Sequence, residues 1–269
     1  MPQVWLNANG KHLQGVTYWP SGARSRCGVL LVAGLSQPKS DLGYFMSKLS
    51  RLLKGSGAFV LQLDPAGHGD SSGDLADVDL ASLREDIEAG IRYVSLRTDA
   101  ETFCVGRGLT AVVMAEFLGG GCLSGAVAID PYRLNGGVVS ELFGLVRDEP
   151  YEVADLLQED TDTAEMGKAF FRSMGADLNN LRGQTISGKL ILQLAAYDPD
   201  AILSKNTGGA CLVLRSSKPS WDDSERSLGR DSLPQLSEYR RFPEDPMLLY
   251  DTMTIAHQWI IRRIRACLT

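Results

Sequence analysis

The groups in this 269-residue chain that could do chemistry are few: three histidines, one glycine-rich loop, and scattered hydroxyls, thiols and carboxylates. The histidines are His12, His68 and His257. His68 stands inside Asp64-Pro65-Ala66-Gly67-His68-Gly69-Asp70-Ser71-Ser72-Gly73. A nucleophile needs a base within hydrogen-bond reach, and Ser36, Cys104 and Thr110 each lack a histidine nearby in sequence. Thr110 reads as a helix N-cap, Ser36 as a hydroxyl bonded within its own loop, and Cys104 as a buried, inert thiol. Asp130, followed by Pro131, reads as a turn in which the carboxylate caps a backbone N–H. The five cysteines are dispersed and form no Cys-x-x-Cys pair. That pattern excludes a zinc or redox motif, implies no metal or cofactor, and suits free thiols in a reducing cytoplasm.

The net charge of −6 argues against nucleic acid or an anionic membrane as partner. No apolar run approaches the ~20 residues of a membrane span. The opening Met1-Pro2-Gln3-Val4-Trp5 lacks the basic and apolar regions of a signal peptide. With 44% hydrophobic residues the chain can bury a sizeable core.

Local patterning places these groups on elements. Val4–Leu6 and His12–Trp19 flank Asn7-Ala8-Asn9-Gly10, which predicts a hairpin. Cys27–Ala33, Ala58–Leu63, Thr102–Val105, Gly125–Ile129 and Ala210–Leu214 are continuous apolar runs, the mark of parallel strands covered on both faces. Between them, Asp41–Leu53, Leu80–Ser95 and Thr110–Leu118 have helical spacing, and Met247–Ala266 reads as a long amphipathic helix. Leu236–Phe242 reads as a short last strand. The alternation predicts a doubly wound α/β sheet. Residues 138–203 break the rhythm with helical segments, where an insertion would form a cap over one sheet edge. The expectation is one domain over 1–269 with 138–203 as a helical cap.

Three stretches carry a resemblance to the α/β-hydrolase superfamily. Val32-Ala33-Gly34-Leu35 ends a strand where that family places an oxyanion-hole N–H. The 64–73 loop resembles its Asp-x-x-Gly-x-Gly-x-Ser loop. Cys104-Val105-Gly106-Arg107-Gly108-Leu109-Thr110-Ala111 lies where the nucleophile elbow belongs. The resemblance implies an α/β-hydrolase-type fold: a doubly wound, mostly parallel sheet with a helical cap.

The chain departs from that family at the chemistry. Gly108 stands at the serine position and Thr110 at the last glycine of G-x-S-x-G. Glycine supplies no alkoxide, yet tolerates the positive φ of the elbow. The family's histidine belongs on the loop after the last strand, and Tyr239–Met247 contains none. His257 sits too far along a helix and reads as packing. His68 reads as a residue lining the sheet edge. The family's acid would be Asp130, or Asp222 and Asp223. The resemblance therefore implies a pseudo-hydrolase, a member without the Ser-His-acid triad. Its retained cleft would bind a small molecule, peptide or partner, as an accessory protein in a biosynthetic pathway. Two alternatives are a non-covalent enzyme of cyclase or lyase type, and an ester or thioester hydrolase with a displaced nucleophile.

Ligands of open α/β sheets bind at the carboxyl ends of the strands. The candidate ligand-binding residues are Gly34, Leu35, Ser36, Asp64, His68, Arg107, Gly108, Leu109 and Asp130. Eight acids between Asp148 and Glu165, with no Lys or Arg among them, suggest a negative rim that favours a cationic ligand. A homodimer or a protein partner also fits. Glycine at 108 leaves space at the elbow, so a ligand group or water should reach the Leu109 N–H. Leucine there should fill that space without unfolding the chain.

Overall fold

The computed structural model describes residues 1–216, 237–242 and 248–266, except 23–24, 26, 133, 135, 144–147, 158–161, 177, 182 and 206–209. Strands β1 (Gln3–Ala8), β2 (Lys11–Tyr18), β3 (Cys27–Val32), β4 (Ala58–Leu63), β5 (Thr102–Arg107), β6 (Gly125–Ile129), β9 (Ala210–Ser216) and β10 (Ser237–Phe242) form one sheet. Their order is β1-β2-β4-β3-β5-β6-β9-β10. The β1–β2 hairpin is antiparallel and joins β4 antiparallel, and every pair from β4 to β10 is parallel. A second sheet pairs the short β7 (Tyr151–Glu152) with β8 (Thr185–Ile186). This is a mostly parallel sheet with helices on both faces.

The continuous apolarity of the strands follows from burial on both sides. Leu30, Val32, Cys104, Ala126 and Ala128 face one core, shared with α2 (Leu80–Ser95) and α3 (Leu109–Ala115). Val29, Leu31, Val105, Val127 and Ile129 face the other, shared with α1 (Phe45–Gly55) and α10 (Leu248–Ala266). His257 lies on α10 and pairs with the hydroxyl of Ser56 at the end of α1, Oγ to Nε2 2.8 Å. It therefore ties two helices on one face of the sheet, and burial lowers its pKa. His12 lies exposed on β2.

Helix α1 begins four residues later than its apolar spacing predicts. Asp41, Gly43 and Tyr44 all have left-handed φ values, 60°, 58° and 59°, which no helix accommodates. The turn they make places the Asp41 carboxylate on Arg107 at the end of β5. At its other end α3 stops at Ala115, three residues short of the expected Leu118, before a 3₁₀ turn at Leu118–Gly120. The expected last strand begins at Leu236, which lies outside the described residues, as do residues 243–247, Asp222 and Asp223.

Between β6 and β9 run α4 (Gly136–Phe143), α5 (Val153–Leu156), α6 (Asp162–Ser173), α7 (Leu178–Leu181), α8 (Gly188–Ala195) and α9 (Pro199–Lys205). Phe143, Tyr151, Phe170 and Phe171 stack edge-on there, and Phe170 meets Tyr132 of the main domain. Polar ties fix the α8 end to the sheet's helices. Lys189 pairs with the Asp79 carboxylate, and the Leu80 N–H donates to Gln193 Oε1 at 2.7 Å. Glu116 accepts from both Arg84 and the Tyr197 hydroxyl. These ties fasten the α8 end of the 136–205 segment to α2 and to the end of α3.

The 64–73 loop is held from below by Asp86 on α2, whose carboxylate accepts the Ala66 N–H at 2.8 Å. Burial, then repulsion from Glu85, pushes the Asp86 carboxyl up to about 6 against the pull of the Ala66 N–H and Lys11. A carboxyl raised in the folded state binds its proton more tightly there than in the unfolded chain. Its contribution to stability is complete below the ordinary carboxylate range near 3.8 and is lost as pH rises through about 6. Asp86→Asn keeps the acceptor and removes the titration. Denaturation midpoints taken from pH 4 to 7 should show the variant gaining on the parent by roughly 1–3 kcal/mol, the gain levelling above pH 6.5. Parallel curves for the two proteins would contradict this assignment.

Candidate functional site

At the carboxyl end of β5 the chain turns sharply through Gly108, φ 59° and ψ −125°, and enters α3 at Leu109. The Gly108 N–H donates to the Ile129 carbonyl, and its own carbonyl accepts the Tyr132 N–H, each at 3.0 Å. Buried Thr110 holds the turn in another way than the expected cap. Its hydroxyl accepts the Arg107 N–H at 3.2 Å and lies 3.0 Å from the Ala33 carbonyl, stapling the ends of β3 and β5. The hydroxyl is committed to backbone. Cys104 is fully buried, with its thiol pKa pushed up by desolvation, so it is inert.

The expected space beside Gly108 is occupied. Helix α6 ends at Ser173, and the Met174 carbonyl comes down onto the elbow. It accepts the Leu35 N–H at 3.1 Å and the Leu109 N–H at 3.2 Å. Three glycines make so close an approach of backbones feasible. A Cβ on Gly108 would stand 2.2 Å from the Met174 carbonyl atoms, and one on Gly34 only 2.3 Å from the Gly175 oxygen. Gly175, with φ at +83°, completes the contact, since its own Cβ would lie 2.9 Å from the Gly34 Cα. The Leu109 N–H is thus not open to a ligand or water, because the chain's own carbonyl holds it.

The other candidates have the following partners. Ser36, at φ 58°, donates its hydroxyl to Gln184 Oε1 at 3.0 Å, between α7 and β8. Asp64 is fully buried and accepts the Lys39 N–H at 2.5 Å, the Lys39 ammonium at 2.7 Å and the Asp70 N–H at 3.1 Å. Burial alone would lower the Lys39 pKa, but the Asp64 and Asp70 carboxylates outweigh it and raise it. Asp130 opens the loop after β6 at φ 40°, its N–H donating to the Leu214 carbonyl at 2.7 Å.

His68 is buried, its Nδ1 2.9 Å from the Ala66 carbonyl, so Nδ1 carries the donated proton. Nε2 has no hydrogen-bond partner among the described residues, and desolvation lowers the pKa, keeping the ring neutral. Arg107 donates from Nε to Asp41 at 2.8 Å, lies over the Phe45 ring, and leaves a buried Nη2 without a partner among the described residues. Gln37 leaves its Nε2 in the same condition.

Sequence reasoning missed Asp41, Gln37, Met174, Gly175 and Gln184. Met174-Gly175 carries only the signature of a helix C-terminus, and nothing local says where that terminus lands. Among the described residues no group of three His, Cys, Asp or Glu side chains could hold a metal ion. No helix among them is long and apolar enough to cross a membrane.

Solved structures share this architecture. Est1E from Butyrivibrio proteoclasticus with ferulic acid bound superposes with a TM-score of 0.74 at 13% identity, covering 97% of this chain and 99% of that one. The α/β hydrolase GrgF from Penicillium sp. sh18 gives 0.73 at 15% identity, over 99% and 100% of the two chains. The chain has the α/β-hydrolase fold. DcsB in complex with its substrate analogue is similar too, with a TM-score of 0.73 at 17% identity over 98% and 99%. No family model and no curated protein matches the sequence. In this fold Gly108 makes the turn from β5 into α3, and the N–H groups of Leu35 and Leu109 both donate to the Met174 carbonyl.

Leucine at 108 would therefore not be accommodated as the sequence suggested, and even one methyl is too much. Gly108→Ala should cost about 2–4 kcal/mol, from the positive φ and the overpacked Met174 contact together. Gly120→Ala, with nothing within 4 Å of the added Cβ, should stay close to the parent. Urea denaturation of both variants decides the matter, and equal midpoints would show that the elbow contact is loose.

Proposed function

We propose that this protein is a non-hydrolytic member of the α/β-hydrolase fold. Its function is to bind a small molecule, a peptide or a partner chain at the carboxyl edge of the sheet, in an accessory role in biosynthesis. The observation that carries this reading is at the elbow, where there is neither a hydroxyl nor room for one. A serine Cβ at 108 would collide with the Met174 backbone. Three further features support it. The only histidine on the sheet's carboxyl edge among the described residues, His68, is buried and hydrogen-bonded to its own loop, and His257 is engaged on Ser56. The hydroxyls of Ser36 and Thr110 are committed elsewhere. The N–H pair that would stabilise a tetrahedral intermediate already has its acceptor.

The exposed acids Asp148, Glu149, Glu152, Asp155 and Glu165 stand in solvent, Glu165 on Lys168 and Glu152 on Thr185. The buried groups without a partner among the described residues, His68 Nε2, Arg107 Nη2 and Gln37 Nε2, support selection of a ligand at this edge. A second reading, a non-covalent enzyme of cyclase or lyase type, is favoured by one feature, the Nε2 of neutral His68, which has no partner among the described residues and could accept a hydrogen bond from a ligand.

Incubation with a fluorophosphonate probe and with a panel of p-nitrophenyl esters and acyl thioesters tests the proposal. No labelling and no turnover above buffer are expected, from the parent or from Gly108→Ser. A hydroxyl without a positioned base remains protonated and weakly nucleophilic. Burst kinetics from the unmodified protein would overturn the reading.

A further inference from the structure

One lateral edge of the sheet is β1, and the phase of its ladder shows which backbone groups it leaves open. Strands β1 and β2 pair in antiparallel register, Val4 opposite Gly15 and Leu6 opposite Leu13. The Thr17 N–H donates to the Pro2 carbonyl at 3.0 Å, one step beyond Gln3 and Val16. Hydrogen-bonded and non-bonded positions alternate in an antiparallel pair. Val4, Leu6 and Ala8 therefore commit their N–H and carbonyl groups to β2. Those of Gln3, Trp5 and Asn7 point the other way, where no strand among the described residues pairs with them. Pro2 does not blunt this edge, because its missing N–H would have faced β2.

Proteins guard open edges with charge, bulges or irregularity. The opposite edge follows that rule, since β10 includes Glu238, Arg240 and Arg241. Strand β1, Gln-Val-Trp-Leu-Asn-Ala, carries no charge. Its register with β2 is unbroken, and Leu6 and Ala8 are buried in the core shared with α2. A tight turn with left-handed Asn9 and Gly10, φ 49° and 82°, fixes its end. Trp5 lies opposite Gln14, on the other face from Leu6, and is 60% exposed.

The outward residues also select the occupant. Gln3, Trp5 and Asn7 are evenly spaced about Trp5, so a second copy related by a twofold axis there sets Trp5 opposite Trp5 and Gln3 opposite Asn7. Each outward N–H then meets an outward carbonyl, and none is left over. The two indoles meet side by side and remove apolar surface from water. Asn7 Oδ1 already accepts the Gly10 N–H at 3.1 Å, which leaves Nδ2 for the Gln3 side chain of the other copy. With no charge on either strand, β1 does not repel its own copy. The assembly closes, because the pairing uses up both β1 edges and leaves the charged β10 edges outside. We propose that this chain forms a twofold homodimer by antiparallel β1–β1 pairing centred on Trp5. The interface lies on the lateral edge of the sheet and is independent of the binding reading above.

Sedimentation velocity of the full chain across roughly 1 μM to 1 mM, the range in which small interfaces associate, tests this. A monomer–dimer equilibrium without larger species is expected. Two paired variants test the register. Gln3→Glu with Asn7→Asp sets like charges opposite each other across the axis, and Gln3→Lys with Asn7→Asp sets opposite ones. Aspartate keeps an acceptor for the Gly10 N–H and both positions are exposed, so both variants should keep the parent's urea midpoint. The like-charged pair should dimerise at least about tenfold more weakly than the opposite-charged pair. Amide exchange of the parent gives a second readout. Gln3, Trp5 and Asn7 should gain protection as concentration rises, while Val4, Leu6 and Ala8, already bonded to β2, should not change. A monomer throughout, open-ended assembly, equal dimerisation by the two variants, or exchange at Gln3, Trp5 and Asn7 that ignores concentration would each overturn the proposal.

Discussion

One backbone contact governs the rest of this molecule: the Met174 carbonyl lodged between the N–H groups of Leu35 and Leu109. Backbone polar groups removed from water must find partners, and two N–H groups at the ends of neighbouring strands would otherwise be orphans beneath the 136–205 segment. Their neutralisation by a carbonyl of the same chain lets that segment close down on the sheet. The closure is possible only because side chains are missing at Gly34, Gly108 and Gly175, where the chains approach within distances no Cβ tolerates. The same absence of a side chain at 108 therefore creates the surface against which the Met174 carbonyl packs.

The charges around this contact hold the loops that bring it into place. Arg107 and Asp41 form a pair buried on both sides, and half-buried Lys39 pairs with fully buried Asp64. Ions so removed from water are costly unless paired and hydrogen-bonded, so each pair pins the loop that carries it. Asp41 fixes the turn before α1, and Asp64 draws together Lys39 and the glycine-rich loop. Between them they fix where Leu35 and Gly108 face each other. His68 sits in the resulting wall as a neutral ring with one nitrogen engaged and the other without a partner among the described residues.

The site was partly legible in the chain. Gly34, Leu35, Gly108 and Leu109 meet because their order along two neighbouring strands requires it, and the positive φ of Gly108 follows from a turn that a glycine pattern announces. Arg107 was recognisable as a neighbour of the elbow. Its partner was not, since Asp41 lies 66 residues away in a stretch with helical spacing. That spacing was overridden by three left-handed residues, whose strain is compensated by an ion pair visible only once β3 and β5 are side by side.

What the sequence by itself determined is whatever depends on local periodicity and on residue identity. It specified the alternation of covered strands and amphipathic helices, the hairpin at Asn9-Gly10, and the absence of a hydroxyl at 108. Such features arise from interactions between residues a few positions apart, and each leaves a period or a missing atom to read. The tertiary structure alone decided that the space at Gly108 is filled, by which atom, and that Thr110, Ser36 and Asp64 are committed to the scaffold. A backbone carbonyl is common to all residues and has no signature in the sequence. Only the folding of α6 back over the sheet, between residues far apart along the chain, could show that Met174 rather than a ligand satisfies the two N–H groups.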